Sequence, residues 1–346
     1  MNKRSKEDAI MKGSSRFAVA IALMSTLISG TALAEVKEIR AARQYGLATL
    51  PLMIMEDAKL VEKNAKQLGL DGLTVRWVQL GGPGAMTEAL VSGDLDFGSG
   101  GVPSLLTLWS RTQGLPIEVR GAGAVVNMPM ELVTTNPKVN TIRDFTNDDR
   151  IAVTTIKVSN QALLLQMAAA KEFGQESYDK LDALTVSLPH PEAMAMLLSS
   201  RGVISAHFSA LPFQHQQKRD PKVRKILSSY DILDGPATNT AVYTTKRFYE
   251  SNPKAYAAFV TGLQEAIELI NKDKRAAAET YKRMTGTKET ADELYAMIAD
   301  PEVQMTFTPQ QTMKMATFLA KIGRIKTAPT SWTDLFFPNV HERPGS

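Results

Sequence analysis

Residue types suited to holding a small solute gather in five short segments, at 44–49, 81–83, 99–103, 158–161 and 206–209. Four of the five carry glycine or serine beside an expected helix start. Glycine lets the backbone come close to a ligand, and the unpaired N–H groups of a first helical turn accept anions or carbonyl oxygens. A small anionic head group can be held in this way without lysine or arginine. The candidates in these segments are Tyr45, Gly46, Leu47, Gly81, Gly82, Ser99, Gly100, Gly101, Ser159, Asn160, His207 and Phe208. Taken singly, such glycines also serve as plain turns. Arg43 is placed either to neutralise an anion or to face solvent, and Tyr45 and Phe208 either to line an apolar wall or to fill the core. Asn127 and Met128 lie on a bridge between two halves of the chain, and Asn239 stands just before its return. His207 is either a ligand contact or a satisfied structural histidine. The spacing of His190, His207, His215 and His341 is not that of a metal site. No Ser-His-Asp order, close carboxylate pair or nucleotide loop stands out, so neither catalytic residues nor a cofactor nor a metal is expected.

The elements that must position these residues follow a repeated order. Strand-like runs at 38–42, 74–80 and 95–97 alternate with helical stretches, one capped by Thr49 with Pro51 in its first turn, one at 86–91 and one opened by Pro103. The order recurs as strand 150–154, helix 162–173 capped around Ser159, strand 184–188, helix 192–198 and strand 203–205, followed by a loop at 206–212. Strand spacings agree between the copies, about 35 and then about 20 residues. This βαβαβα pattern predicts two similar lobes, each a mostly parallel sheet covered by helices. Ligands bind such sheets beyond the carboxyl ends of the strands, which is where the five segments fall. Strands at 117–121 and 130–135 flank the bridge, and a strand at 240–245 returns. Helices are expected at 253–271, 276–284, 290–298 and 308–322. Two connecting segments make a double hinge suited to closing around a ligand.

Ahead of all this stands a leader. Lys3, Arg4, Lys6, Lys12 and Arg16 precede an apolar run at 17–28 and the small-residue ending Ala32-Leu33-Ala34. That is the form of a cleaved secretory signal, read from Met1 or Met11, with cleavage after Ala34. The leader holds five basic residues against two acidic ones, so the formal charge of +4 falls to about +1 without it. No basic stripe points to nucleic acid. The chain contains no cysteine. This excludes disulfides, thiolate metal sites and the acylated cysteine of a lipoprotein, and points to a soluble, non-lipidated periplasmic protein.

Several segments together resemble the ABC-importer periplasmic solute-binding proteins of the nitrate, sulfonate and taurine type. They are Glu88-Ala89-Leu90-Val91-Ser92-Gly93-Asp94-Leu95-Asp96-Phe97-Gly98, Pro129-Met130-Glu131-Leu132-Val133-Thr134, Asp149-Arg150-Ile151-Ala152-Val153, residues 253–270, and Ser331-Trp332-Thr333-Asp334-Leu335-Phe336-Phe337-Pro338. The resemblance implies an α/β type II periplasmic-binding-protein fold, with two lobes on a two-strand hinge and the C-terminal helices on lobe one. The chain then divides into a signal peptide (1–34), lobe one (35–131 and 241–346) and lobe two (132–240). It implies a monomer that is not an enzyme. Such a protein captures a sulfonate, nitrate or related small solute and hands it to permease and ATPase subunits. Two alternatives share the fold: a ligand-binding sensor, and a thiamine-pyrimidine-precursor protein whose chemistry relies on a cysteine-rich motif absent here. Around His207 the family more often carries an acidic-small pair, a departure that marks this position.

Overall fold

The computed structural model describes residues 34–199 and 202–346, and residues 36–346 form one compact unit. The expected leader lies outside the described residues except for Ala34. From the N-terminus run β1 (Glu38–Arg43), α1 (Leu50–Asp57), α2 (Leu60–Gln67), β2 (Thr74–Gln79), α3 (Pro83–Ser92), β3 (Phe97–Gly100), α4 (Val102–Thr112) and β4 (Val119–Asn127). Next come β5 (Glu131–Thr134), β6 (Ile151–Val153), α5 (Asn160–Phe173), β7 (Thr185–Ser187), α6 (His190–Leu198), β8 (Ala206–Ser209), α7 (Phe213–Gln217), β9 (Arg224–Ser228) and α8 (Ser229–Leu233). The chain then returns through β10 (Thr238–Thr245), α9 (Lys246–Ser251), α10 (Pro253–Lys272), α11 (Lys274–Thr285), α12 (Ala291–Ala299), β11 (Gln304–Met305) and α13 (Thr312–Lys321).

Two sheets result, ordered β11-β4-β10-β3-β1-β2 and β7-β6-β8-β5-β9. In each, a central strand (β1 or β6) is parallel to both of its neighbours, as strand–helix–strand crossovers require. In each, the next strand runs antiparallel and enters from the other half of the chain: β10 beside β3, and β5 beside β8. The repeat read in the sequence is therefore a repeat of pairing order as well as of spacing. Of the two crossing segments, 128–130 runs directly from β4 into β5, while 234–237 leads from α8, which follows β9, into β10.

Two strands sit further along the chain than the apolar residues predict. In the first sheet β3 covers Phe97–Gly100 rather than 95–97, because the small residues after Phe97 let Tyr243 of β10 lie across them. A Cβ on Gly98 would come within 2.7 Å of the Tyr243 ring. In the second sheet β8 covers Ala206–Ser209, the stretch expected to be loop, while Val203 in the expected strand is 52% exposed. Phe208 decides this register by filling the core. The C-terminal helices pack on the first sheet's layer. Here α10 lies on α1 and α2, and α13 lies on α4. Phe259 of α10 stacks on Phe97 with ring centroids 3.8 Å apart.

Candidate functional site

The carboxyl ends of the parallel strands of both sheets face a common cleft, and the starts of α3, α4, α5 and α6 converge on it. An inner chamber of about 40 Å³ lies there. The first sheet contributes Gln44, Tyr45, Ala48 and Thr49 from the loop after β1, with Pro83 and Gly101 at the starts of α3 and α4. The second contributes Thr154 after β6, Ser159, Asn160 and Gln161 at the start of α5, His190 opening α6, and Ala210 after β8. Met130, Asn239 and Thr240 close the floor from the crossing segment and from β10. The wall is built of amides and hydroxyls, and its one ionisable side chain besides Tyr45 is His190.

Asn160 sits at the centre of this arrangement. Its Nδ2 donates to the Asn239 carbonyl at 2.6 Å, and Asn239 in turn donates to the Met128 carbonyl at 3.1 Å. The first turn of α5 is thereby tied to β10 and, through it, to the crossing segment 128–130. That bond also fixes which way the Asn160 amide faces, since an oxygen turned toward a carbonyl would be repelled. Asn160 Oδ1 has no hydrogen-bond partner and the residue is only 7% exposed. Gly101 stands against it, and a Cβ there would fall 2.2 Å from Oδ1.

Behind the wall runs a buried polar chain. Thr154 Oγ1 donates to Gln161 Oε1 at 3.1 Å, leaving Gln161 Nε2 to donate to His190 Nε2 at 3.1 Å. His190 then carries its proton on Nδ1 and donates to His207 Nε2 at 2.9 Å. His207 Nδ1 then carries the second proton, and the atom 2.8 Å from it is Gln217 Nε2. This proton order selects the Gln217 amide rotamer that presents its oxygen. Burial without a countercharge pushes the His190 pKa down to about 4, and burial together with His190 holds His207 well below its ordinary value. Both rings are neutral at pH 7, and all four ring nitrogens are engaged.

A second, outer chamber of about 550 Å³ opens beyond Gln44, Tyr45 and Thr49, which line both spaces. Met53, Met194, Leu198, Phe213, Tyr281 and Met284 give it an apolar body, with Arg219 and Lys288 exposed at its edge and Arg43 more deeply set. Arg43 is already paired with Glu56 at 3.2 Å, and Arg219 with Glu293. Gly46, at φ +104, turns the chain into this chamber in a conformation that favours glycine.

The sequence-predicted residues divide accordingly. Tyr45, Gly101, Ser159, Asn160 and Asn239 line the inner chamber, and Arg43, Tyr45 and Gly46 line the outer one. Gly81 and Gly82 are not on either wall; they let the first half approach Pro189 and the Thr154 carbonyl. Leu47 is core, its N–H donating to the Leu211 carbonyl across the cleft at 3.0 Å. Ser99 and Gly100 fall inside β3, with Ser99 Oγ donating to the Ala42 carbonyl. Asn127 is buried at the end of β4 against Gln304, Gln310 and Thr238, and Met128 is buried beside it. His207 and Phe208 lie within β8, so neither reaches the cleft; His207 supports His190 from behind. His190, Thr154 and Gln44 were missed as individual residues, although each stands at the carboxyl end of a strand or in the turn after it. Among the described residues no group of three His, Asp or Glu side chains is placed to hold a metal, and no helix is long and apolar enough to cross a membrane.

Comparison with known proteins gives a consistent picture. The model of the NMT1-like family matches residues 41–285. A search of curated protein sequences returns no match. Among solved structures, the alkanesulfonate-binding protein SsuA from Xanthomonas axonopodis pv. citri, bound to MOPS, superposes with a TM-score of 0.67 at 18% identity. The match covers 86% of this chain and 96% of that one. The periplasmic nitrate-binding protein NrtA from Synechocystis PCC 6803 gives 0.65 at 16% identity, over 87% and 84%. A Candida albicans protein described as showing the generic periplasmic binding protein fold gives 0.64 at 14%, over 86% and 93%. At these identities the likeness establishes the fold, which is that of the periplasmic binding proteins.

Proposed function

The chain belongs to the NMT1-like family, and on that premise we propose that it captures a small solute between its two sheets as the periplasmic substrate-binding component of an ABC importer. One observation carries this reading: four helix starts from both sheets, the crossing segment 128–130 and the start of β10 meet at a single chamber. A solute seated there touches both halves and one of the segments that join them, so its binding energy favours the closed arrangement over an open one. The lobes then divide near residues 131 and 240. The wall supports binding rather than turnover. Its histidine has both ring nitrogens occupied, and no acidic side chain stands on it to act as a base. Delivery to a permease and an ATPase, and export through the leader, complete the reading.

The test is a thermal-shift panel on the chain from residue 35 onward, with nitrate, taurine, alkanesulfonates, carboxylates and thiamine-precursor pyrimidines. A solute at one hundred times its Kd stabilises the folded state by about 2.7 kcal/mol and raises Tm accordingly. Silence from every class would remove the binding reading.

A further inference from the structure

The two chambers carry more than the existence of a site; they constrain the chemistry of what fills it. The inner wall holds no lysine, arginine, aspartate or glutamate, so a charged head group brought inside would lose its hydration without gaining a countercharge. Helix N–H groups are the alternative to a cation, and three that stand close to the chamber, though not on its wall, are already in use. Leu47 N–H donates to Leu211 O, Gly84 N–H to Thr155 Oγ1 at 3.4 Å, and Ala162 N–H to Ser159 Oγ at 3.3 Å. Among the buried side-chain polar atoms of the wall, the one left without a partner is an acceptor, Asn160 Oδ1. An unpaired buried acceptor is costly, and a ligand N–H or O–H removes that cost. The volume agrees. About 40 Å³ admits a group of a few heavy atoms, since one water needs roughly 10–15 Å³ on this measure. The outer chamber, at about 550 Å³, is of a size that takes a whole organic molecule, and its methionine and aromatic walls suit an apolar body.

We propose that the site takes an extended organic solute whose neutral head donates a hydrogen bond to Asn160 Oδ1 and whose apolar body occupies the outer chamber. This rests on the solute-binding reading and narrows it away from compact anions. Gln44, Tyr45 and Thr49, which line both chambers, form the neck through which the ligand passes.

Matched ligands separate head from body. Benzamide and hexanamide are compared with benzenesulfonate and hexanesulfonate, alongside nitrate and taurine, by calorimetry and thermal shift on the chain from residue 35. The amides are expected to bind and raise Tm, and the anions not to. N,N-dimethylbenzamide keeps the body and carbonyl but lacks the N–H, and should bind at least tenfold more weakly than benzamide. Asn160→Leu should weaken benzamide by a similar factor; the dimethyl comparison on the unaltered chain stands even if that variant folds poorly. Sulfonates or nitrate binding as well as or better than the amides overturns the neutral-head proposal and leaves the solute-binding reading intact. Equal binding of benzamide and its dimethyl derivative overturns it too. Silence from amides and anions alike overturns the neutral-head proposal, and the solute-binding reading falls with it only if the carboxylates and pyrimidines of the wider panel are silent too.

Discussion

The inner chamber is walled by amides and hydroxyls drawn from both sheets, and nearly every one of them is held by another. The outer chamber is walled by methionines and aromatics, with Arg219 and Lys288 exposed at its edge and Arg43 more deeply set and paired with Glu56. The contrast shows how one cleft divides its work. Fixed dipoles behind a small opening select a head group, because a misplaced polar atom there has no other partner. Flexible thioether side chains over a wide space accept bodies of varied shape. Sensitivity to change should therefore be concentrated inside and slight outside.

Acid is the strongest perturbation of the inner wall. His190 in the folded chain has its pKa held near 4, below the ordinary value of 6.5. Between those values the unfolded chain binds the proton and the folded chain does not, so stability is full above pH 6.5 and falls as pH drops toward 4. The shift corresponds to about 3 kcal/mol at the low end, and His207 acts in the same direction. Urea midpoints compared at pH 7 and pH 4.5 measure it; equal midpoints would contradict the buried, neutral histidine chain. Next in size is Gly101→Ala. Its Cβ would lie 2.2 Å from Asn160 Oδ1, so the neck of α5 must shift, at a cost of about 1–3 kcal/mol in denaturation and a loss of solute affinity of about tenfold or more. A Tm and a Kd unchanged from the unaltered chain would mean that the two halves do not meet as described. The smallest effect belongs to the outer rim: Lys288→Ala removes an exposed cation and should leave stability within about 0.5 kcal/mol. A large loss on denaturation would break the division between the chambers.

Much of this architecture was legible in the sequence, and the limits have physical causes. Matched spacings and breakers foretold two sheets of like order, because glycine and proline mark turns through the backbone itself. The strand-to-helix turns after β1, at Gly101 and at Ser159 follow from the same logic, and Asn160, Gly101, Tyr45 and Asn239 reach the chamber. What failed was register. Ser99, Gly100, His207 and Phe208 read as loop in the sequence because the apolar runs at 95–97 and 203–205 resemble the strands. The actual strands are set by distant partners, Tyr243 against Gly98 and β5 against β8, which no local window contains. His190 was hidden for a related reason: its role comes from Gln161 and His207, each 17 or more residues away.

The central claim is that a solute clamps the two sheets together at Asn160. The chain has no cysteine, so Glu88→Cys on α3 and Glu176→Cys after α5 can be spin-labelled without background. Pulsed electron-spin distance measurement between these two exposed sites, with and without saturating benzamide, reads the clamp directly. The account predicts that the solute narrows the distance distribution to one short population, and that Asn160→Leu blocks the narrowing. A distribution that saturating, calorimetrically bound solute leaves unchanged would contradict it.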